Sequence, residues 1–359
     1  MNTVHVNLGS RSYDILVAPG LLSEAGPRIL AAGLKGRAAI ITDSNVAPHF
    51  LARVEASLDE SGYDATAHIF PAGEGSKSMT EVEKLSRELI QAGHDRSSFI
   101  VALGGGVTGD LAGFVAAIFY RGIPFVQIPT TIVSQVDSAV GGKTGVNAPE
   151  GKNLIGAFHQ PRLVLTDPET LLTLPGREFR EGFAEVIKHA AIRDKSMLSD
   201  LEQLDPLEQN VPAELIARNV AIKARVVEED EQETSGTRAL LNFGHTIGHG
   251  IEAAVPYGTL LHGEAISLGI RAALQLSEDH AGLPGQASER ILKLLAHFQL
   301  PLTLSEEIPT SLILEKLSRD KKFSGGKKTF VLLDRLGNGI TCSTIPTEAI
   351  APAIDSLRS

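Results

Sequence analysis

The sequence predicts two domains, an α/β domain built on a mostly parallel sheet and an α-helical domain after it. In the first half, short apolar segments alternate with patterns of helical periodicity, which is typical of parallel strands joined by helices. After about residue 175, helical patterns follow one another with few strands between them. The length of 359 residues exceeds the size at which one core usually keeps growing, so we expect domains at residues 1–174 and 175–359.

The elements of the first domain follow from apolar periodicity and from the turns between the apolar segments. Strands are predicted at residues 4–8, 12–17, 37–42, 65–70 and 99–103, and helices at residues 21–32, 48–61, 79–92 and 111–118. In a doubly wound sheet, ligands bind beyond the carboxyl ends of the strands. Asp43 and the loops at residues 73–77 and 104–110 follow predicted strands, so we expect them at that edge.

The elements of the second domain are mostly helices. They are predicted at residues 177–192, 212–229, 242–254, 263–281, 286–298 and 312–317. A strand at residues 328–333 is predicted to pair, through a turn at 336–339, with a strand at 340–343. The domain boundary is expected at residues 171–175, where proline and glycine interrupt both patterns.

Composition excludes several classes of protein. The formal net charge of −10 argues against a general nucleic-acid-binding protein, which would carry a basic surface. Cys342 is the only cysteine, so no disulfide can form within the chain, as is usual in a reducing cytosol. The N-terminus lacks the pattern of a signal peptide, and no apolar segment is long enough to cross a bilayer. We therefore expect a soluble cytoplasmic protein that binds neither nucleic acid nor a membrane.

A glycine-rich loop follows the strand predicted at residues 99–103. Residues 104–110 read GGGVTGD and lead into a helix, so amide groups and missing Cβ atoms are available to bind a phosphate group. The letters satisfy G-x-G-x-x-G, but no acidic residue lies at the usual distance of about 20 positions onward. A structural turn therefore remains an alternative, and Asp43 after an earlier strand could hold a ribose instead.

Three histidines indicate a metal site. His245 and His249 are four residues apart in a predicted helix, so both side chains project from one face. His262 follows after a Pro-Tyr-Gly turn that lets the chain fold back. With a carboxylate, these imidazoles could hold a divalent metal and leave positions open for a substrate. The alternative is that two of them line a helix interface and the third caps a loop.

Glu185 is the candidate carboxylate for such a site. It lies three residues before Lys188 in a predicted helix, so both side chains share one face. In the functional interpretation, Glu185 binds the metal and Lys188 reaches the substrate. In the alternative interpretation, the two form a surface ion pair of little consequence.

Lysines in glycine-rich loops indicate an anionic substrate. Lys143 and Lys152 lie in such predicted loops, although most lysines are simply solvated surface residues. The segment from Gly142 to Thr144 is similar to the end of a P-loop, but the first glycine of that motif is missing, which argues against a nucleotide triphosphatase. Further positive or donor groups are Lys188, Lys223, Arg238, Asn242, Lys321 and Lys322.

These motifs together resemble the 3-dehydroquinate synthase family. The resemblance runs from about residue 43 to residue 333, and its combination of motifs is highly specific. The motifs lie at residues 104–110, 129–131, 135–138, 141–144, 151–158, 184–188, 240–249, 261–264 and 320–322.

The resemblance implies an activity, a fold and two cofactors. Such an enzyme is an NAD- and metal-dependent lyase of the shikimate pathway of aromatic amino acid biosynthesis, with zinc or cobalt as the metal. It converts 3-deoxy-D-arabino-heptulosonate 7-phosphate (DAHP) into 3-dehydroquinate and phosphate. The steps are transient oxidation by NAD, phosphate elimination, re-reduction and intramolecular aldol closure. The implied fold is a Rossmann-like NAD-binding domain and a mainly α-helical metal- and substrate-binding domain, with the active site in the cleft between them and a homodimer as the usual assembly.

The resemblance also implies roles for individual residues. The metal ligands are Glu185, His245 and His262, while the catalytic residues are His249, Lys143, Glu233 and Asn153. NAD contacts are expected at Asp43, Gly73, Glu74, Lys77, Gly105, Gly106, Val107, Thr108, Gly109, Asp110, Thr130, Thr131, Lys143 and Lys152. Substrate contacts are expected at Asp137, Lys143, Asn153, Lys188, Lys223, Arg238, Asn242, His249, Lys321, Lys322 and, from a partner subunit, Arg121. The segment from residue 230 to 238 is one residue longer than the family's usual spacing, and Glu233 is the active-site carboxylate expected in it.

Other classes of protein share parts of this pattern. A metal-dependent polyol or glycerol-phosphate dehydrogenase has the same two-domain plan, but the many basic groups favour a phosphorylated anionic substrate over a neutral polyol. A related sugar-phosphate cyclase would act on a different phosphate, and Asn153, Asn242, His249 and the pair at residues 321–322 fit the dehydroquinate pattern better. A nucleotide-binding regulator without catalysis would need no metal site.

Overall fold

The computed structural model describes residues 1–256, 258–319 and 329–358. The chain divides into two compact units, of which the first comprises Met1–Leu174 and Asn210–Gln232, and the second Pro175–Gln209 and Glu233–Ser359. This division differs from the predicted single boundary, because a helix at residues 213–229 joins the first unit. That helix packs against the two N-terminal strands of the first unit, which covers their apolar residues.

The first unit is built on a mostly parallel sheet, as predicted. Its strands are β1 (Asn2–Val6), β2 (Tyr13–Val17), β3 (Ala38–Asp43), β4 (Ala65–Phe70), β5 (Phe99–Gly104), β6 (Phe125–Pro129) and β9 (Leu163–Thr166). Among the described residues these form a seven-stranded sheet in the order β1-β2-β9-β6-β5-β3-β4. Only β1 and β2 pair antiparallel within it, and the other neighbours are parallel.

Helices cover both faces of this sheet. They are α1 (Ala25–Ala31), α2 (Ala47–Glu60), α3 (Met79–Gln91), α4 (Gly106–Ile118) and α8 (Ala213–Glu229). Alternate residues of β3 point to opposite faces, so Ile40 belongs to the core beside α1 and α2, and Ile41 to the core beside α3 and α4. Burial on both faces explains why β3, β5 and β6 are apolar almost throughout.

A two-stranded hairpin in the first unit corrects the sequence interpretation. Its strands are β7 (Lys143–Ala148) and β8 (Gly151–Phe158), so Lys143 and Lys152 lie on strands rather than in loops. Two glycines of this hairpin allow the backbones of its strands to approach closely. A Cβ atom on Gly145 would lie 2.6 Å from the Ile155 carbonyl oxygen, and one on Gly156 would lie 2.1 Å from that of Thr144. The sequence therefore predicted loops where cross-strand contact requires glycine.

The second unit is mainly helical, as predicted. Its helices are α5 (Gly176–Glu181), α6 (Phe183–Arg193), α7 (Met197–Leu201), α9 (His245–Ala254), α10 (His262–Ala281), α11 (Gly285–His297), α12 (Thr310–Arg319) and α13 (Thr347–Asp355). The predicted hairpin forms from β10 (Phe330–Arg335) and β11 (Asn338–Cys342). The helix predicted at residues 177–192 is two helices that meet at Gly182, and the one predicted to begin at residue 242 begins at His245. None of the helices among the described residues has the length and apolar character that crossing a membrane requires.

Glycine contacts bring α9 and α10 close together. A Cβ atom on Gly269 of α10 would lie 2.0 Å from the Gly244 carbonyl oxygen, and one on Gly248 of α9 would lie 3.0 Å from the Ala265 carbonyl oxygen. Only glycine permits this approach of the two backbones. The first residues of α9 and α10 are histidines, and the packing of these helices therefore sets where those histidines lie.

Candidate active site

The carboxyl edge of the sheet in the first unit carries a hydrogen-bonded aspartate. Asp43 ends β3, and its Oδ1 accepts hydrogen bonds from the amides of Asn45 at 2.9 Å and Val46 at 3.1 Å. Its Oδ2 accepts one from Thr108 Oγ1 at 3.0 Å. The carboxylate thereby connects the end of β3 to the first turn of α4. Carboxylates have about four acceptor positions, so one further ligand hydroxyl is compatible with these bonds.

The start of α4 has the features of an anion-binding turn. Gly105 is the N-cap residue of the helix, and because glycine has no side chain it makes no capping hydrogen bond to the first amides. Cβ atoms on Gly73 and Gly75 would have no neighbour within 4 Å, so the loop at residues 73–77 borders open space. Exposed amides at a helix start suit a phosphate group. Gly109 packs closely against β6, because its Cβ would lie 2.5 Å from Gln127 Oε1.

Lys77 joins this loop to α4 and to the hairpin. Its buried Nζ donates hydrogen bonds to Asp110 Oδ2 and Asn153 Oδ1, both at 2.5 Å. Burial raises the pKa of the Asp110 carboxyl even though the Lys77 ammonium opposes that shift. The structure thus brings together two predicted cofactor residues and one predicted substrate residue.

A second ion pair of the first unit lies on a π-helical turn at Ser134–Ser138. Lys223 Nζ lies 2.6 Å from Asp137 Oδ1 and donates to the Asp137 carbonyl oxygen at 2.5 Å. Lys223 belongs to α8, and its side chain is largely buried. Both residues were predicted to bind substrate, and α8 brings them into contact although 86 positions separate them in the sequence.

Glu185 and Lys188 form a fully buried ion pair in the second unit. Lys188 Nζ contacts Glu185 Oε2, and the two side chains are 1% and 0% exposed. The alternative of an inconsequential surface pair is therefore wrong. Both oxygens of the carboxylate are buried, and neither has a hydrogen bond of regular geometry within the described part of the chain. Burying an ionised carboxylate without regular hydrogen bonds destabilises the folded chain unless further partners compensate its charge.

Two imidazoles point at the same oxygen of Glu185. The Nε2 atoms of His245 and His262 lie 3.2 Å and 3.4 Å from Glu185 Oε1. His249 is nearby, with its ring centroid 5.1 Å from that of His245 and 5.8 Å from that of His262. Nitrogen atoms of the three rings all lie within 4.8 Å of one another. This is a donor set of the kind that binds zinc or cobalt.

Contacts within this cluster shift the pKa values of the two histidines and of Glu185. Burial alone would lower the pKa of His262, but contacts with Glu185 and Glu252 raise it to about 10. Burial and the Lys188 ammonium lower the pKa of His245. Burial would raise the pKa of Glu185, yet Lys188 and the imidazoles hold it well below its usual value. The carboxylate is therefore ionised, as a metal ligand must be.

Two protein-family models match this chain. The family model described as 3-dehydroquinate synthase N-terminal matches residues 67–181, and the one described as 3-dehydroquinate synthase C-terminal matches residues 182–323. The chain belongs to the 3-dehydroquinate synthase family. It is 49% identical over 346 residues to the 3-dehydroquinate synthase of Pelobacter propionicus, a match that covers 94% of this chain and 95% of that protein.

Two solved structures with a similar fold belong to related cyclases. A 2-deoxy-scyllo-inosose synthase complexed with carbaglucose-6-phosphate, NAD⁺ and Co²⁺ has a TM-score of 0.88 at 25% identity, covering 99% of this chain and 100% of that one. A 2-epi-5-epi-valiolone synthase from Streptomyces hygroscopicus, with NAD⁺ and Zn²⁺ bound, has a TM-score of 0.85 at 28% identity, covering 96% of each chain.

The remaining residues that the family resemblance singled out lie in several places. Thr130 donates its amide to the Gly104 carbonyl oxygen at 3.0 Å, and the Thr131 methyl group lies 3.1 Å from where a Cβ of Gly105 would be. Both threonines therefore adjoin the glycine loop. Exposed side chains are those of Lys143, Lys152 and Arg121. Lys321 and Lys322 lie outside the described residues.

The segment from residue 230 to 238, which the family resemblance gave as longer than usual, has an unusual backbone. Glu233 has φ of 58°, in the left-handed region that non-glycine residues seldom adopt. Its Oε1 lies 3.5 Å from Nε of the buried Arg238. Both residues of this pair belong to the second unit. Asn242, half-buried, follows at the end of a short 3₁₀ helix.

Two acidic neighbours of the histidines were missed by sequence reasoning. Glu252 Oε2 lies 3.5 Å from His262 Nδ1, and Glu181 Oε2 accepts a hydrogen bond from the Gly263 amide at 2.5 Å. Burial raises the pKa of Glu181 to about 7, although the Gly263 amide opposes the shift. For Glu252 a signal existed, since it lies seven residues after His245 and shares its helix face. Nothing in the sequence indicated the contact of Glu181 with α10.

Proposed function

We propose that this chain is a 3-dehydroquinate synthase, an NAD- and divalent-metal-dependent carbon–oxygen lyase that converts DAHP into 3-dehydroquinate and phosphate. The observation that carries the proposal is the buried carboxylate of Glu185, which faces the Nε2 atoms of His245 and His262. It occurs in a chain that is 49% identical to a 3-dehydroquinate synthase over 94% of its length.

Glu185, His245 and His262 would hold the metal, and the residues around the start of α4 would hold NAD. The fit rests on the buried carboxylate, which lacks regular hydrogen bonds in the described part of the chain, and on the uncapped glycine turn. When bound, NAD supplies reversible oxidation of a ring carbinol, and the metal, zinc or cobalt, acts as a Lewis acid on the hydroxyl groups there.

The first unit would contribute cofactor binding and part of substrate binding. The amides at the start of α4 would hold the pyrophosphate, and Lys152 would add a positive charge for it. Lys77 keeps Asp110 and Asn153 in place through its two hydrogen bonds. Lys143, Asn153 and Lys223 would bind anionic and hydroxyl groups of the substrate.

The second unit would contribute positive and polar groups that bind an anionic substrate. Lys188, Arg238 and Asn242 would bind its phosphate and carboxylate, and Glu233 would orient Arg238. His249, beside the two proposed ligand histidines, would exchange protons with the leaving phosphate. Fixed charges of this kind stabilise developing negative charge without reorganisation.

We propose further that the enzyme is a homodimer whose interface includes the hairpin of the first unit. Leu154, Ile155 and Phe158 of β8 are exposed by 39%, 39% and 49%. Tyr120, 44% exposed, precedes Arg121 after α4, and the His159 imidazole contacts the carbonyl oxygen of Ile123 nearby. Exposed apolar side chains concentrated on one strand are typical of a surface that a partner covers.

We also propose that the enzyme acts in the cytoplasm. Cys342 is the only cysteine, so the chain forms no internal disulfide, as is usual for proteins of a reducing compartment. Fractionation of cells that produce the chain tests this proposal, and recovery outside the cytoplasmic fraction would contradict it.

An assay with DAHP and a substoichiometric amount of NAD tests the activity. We expect phosphate and 3-dehydroquinate to appear in equal amounts, with many turnovers per NAD and no steady accumulation of NADH. Glycerol and glucose 6-phosphate are the comparison substrates. NADH formation in proportion to product would instead indicate a dehydrogenase. Phosphate release from glucose 6-phosphate but not from DAHP would indicate a different cyclase.

A further inference from the structure

Both proposed ligand histidines have an acceptor at the nitrogen that faces away from Glu185. His245 Nδ1 lies 3.2 Å from the carbonyl oxygen of Phe243, and His262 Nδ1 lies 3.5 Å from Glu252 Oε2. An imidazole that binds a metal has given up one proton, and an acceptor next to Nδ1 favours the remaining proton at Nδ1. The lone pair is then at Nε2, the atom that faces Glu185 in both rings.

The two acceptors differ in charge and in origin. Phe243 contributes a neutral backbone oxygen two residues from its histidine, which any residue at that position would supply. Glu252 contributes a carboxylate from α9 to a histidine on α10, and its side chain is only 15% exposed. A carboxylate at Nδ1 both fixes the ring and makes Nε2 a stronger donor to a metal.

We propose that Glu252 is a positioning residue for the metal, which keeps the proton of His262 at Nδ1 and directs Nε2 toward Glu185. This proposal rests on the proposed function, because it assumes that Glu185, His245 and His262 bind a divalent ion. Glu252 itself does not touch the ion. A purely structural alternative is that Glu252 only connects α9 with α10, in which case the folded protein would lose stability without losing affinity for the metal.

The positioning role and the purely structural role of Glu252 are distinguished by the affinity of the metal-depleted protein for Co²⁺. Competition with a chelator measures this affinity. For Glu252→Gln we expect the Kd to rise about 10- to 100-fold, the usual effect of removing such a partner. Glu252→Asp should recover part of the affinity, because it keeps the charge. The matched control is Glu278→Gln, an exposed carboxylate on α10, which should leave the Kd unchanged. The visible spectrum of bound Co²⁺ should change for Glu252→Gln alone.

The outcomes separate failure of the positioning role from failure of the proposed function. A Kd for Glu252→Gln equal to that of the unaltered protein would overturn the positioning role. Failure of the unaltered protein to bind Co²⁺ would instead overturn the metal assignment in the proposed function. If Glu252→Gln does not fold, long-range ¹H–¹⁵N NMR of the unaltered zinc-loaded protein is the deciding measurement. We expect His262 to be protonated at Nδ1 and bound to zinc at Nε2, and zinc at Nδ1 would refute the proposal.

Discussion

The carboxylate of Glu185 shows what single residues can and cannot reveal. Spacing along a helix predicted that it shares a face with Lys188, and it does. Only the folded chain shows that the pair is buried and that two imidazoles face the same oxygen. Removing one partner of a buried ion pair costs about 3–5 kcal/mol, because an uncompensated charge remains. The pair is therefore expected to be sensitive to substitution for reasons of stability as well as of binding.

The first prediction separates the ligand histidines from their neighbour. We expect His245→Ala and His262→Ala each to lose bound metal and turnover together. His249→Ala should retain the metal, while kcat falls by about 10²- to 10⁴-fold, the usual contribution of a proton-transfer group. Metal content of the purified variants and phosphate release from DAHP are the measurements. Because the nitrogens of all three rings lie within 4.8 Å of one another, loss of metal from His249→Ala would make His249 a ligand instead.

At the scale of elements, α9 and α10 hold the histidines through backbone contact. A Cβ atom at position 269 would lie 2.0 Å from the Gly244 carbonyl oxygen and 2.6 Å from the Gly248 amide nitrogen. A methyl group there would have to push the helices apart, since these atoms belong to the backbone. The distance between His245 and His262 depends on that packing.

The second prediction is that Gly269→Ala lowers both stability and affinity for the metal. Overpacking of a close contact typically costs about 1–3 kcal/mol in the free energy of unfolding. Urea unfolding and the Kd for Co²⁺ are the measurements. The control is Gly285→Ala at the start of α11, where the nearest atom to a Cβ is 3.9 Å away. An unchanged Kd in Gly269→Ala would show that the helices can separate without moving the histidines.

A pair of histidines near the edge strand of the sheet has a different role. His94 Nε2 and His68 Nε2 contact Thr66 Oγ1 on β4 at 2.6 Å and 2.9 Å. Burial, with Arg37 and His68 adding to it, lowers the pKa of His94 to about 4, while Asp64 and Asp95 act in the opposite direction. His94 is therefore neutral in the folded chain at pH values where it is protonated in the unfolded chain.

The third prediction concerns the stability of the first unit at acid pH. The folded pKa of His94 of about 4 lies below the ordinary value of 6.5, so the unfolded state binds more protons between these values. The stabilisation that neutral His94 gives the folded chain is complete above pH 6.5. As the pH falls toward 4, the free energy of unfolding decreases by up to about 3 kcal/mol through this group. The free energy of unfolding of His94→Gln, measured in urea, should decrease less over this pH range than that of the unaltered protein. Exposed His5, changed to Gln, is the control, and equal decreases in both variants would contradict the assignment.

At the scale of the whole molecule, the exposed strand β8 predicts assembly. Phe158→Glu adds a charge where we propose that a partner subunit packs, so the dimer should dissociate at concentrations where the unaltered protein remains dimeric. Sedimentation equilibrium measures this. Leu207→Glu, at a more exposed leucine of the second unit, should leave the dimer intact. A monomeric unaltered protein, or a dimer unaffected by Phe158→Glu, would refute the proposed interface.

Much of the fold followed from local patterns. Apolar runs predicted β3 and β5, and helical periodicity predicted most helices of the second unit, because these signals lie within a few neighbouring residues. Strands β6 to β9 were missed. For β7 and β8 the reason is that glycines at 145 and 156 are typical of loops unless their cross-strand contacts are known. The position of α8 was also missed. Its sequence shows that it is a helix and does not show which unit it packs against.

The sequence by itself determined the family, the mostly parallel sheet, the helical second unit, and the identity of the histidines and carboxylate that we propose bind a metal. These depend on residue types at short, specific spacings. Tertiary structure alone decided that Glu185 and Lys188 are buried, that Lys77 joins Asp110 to Asn153, and that Glu252 lies beside His262. Those contacts depend on how distant segments pack, and packing is set by the summed burial of many side chains rather than by any local pattern.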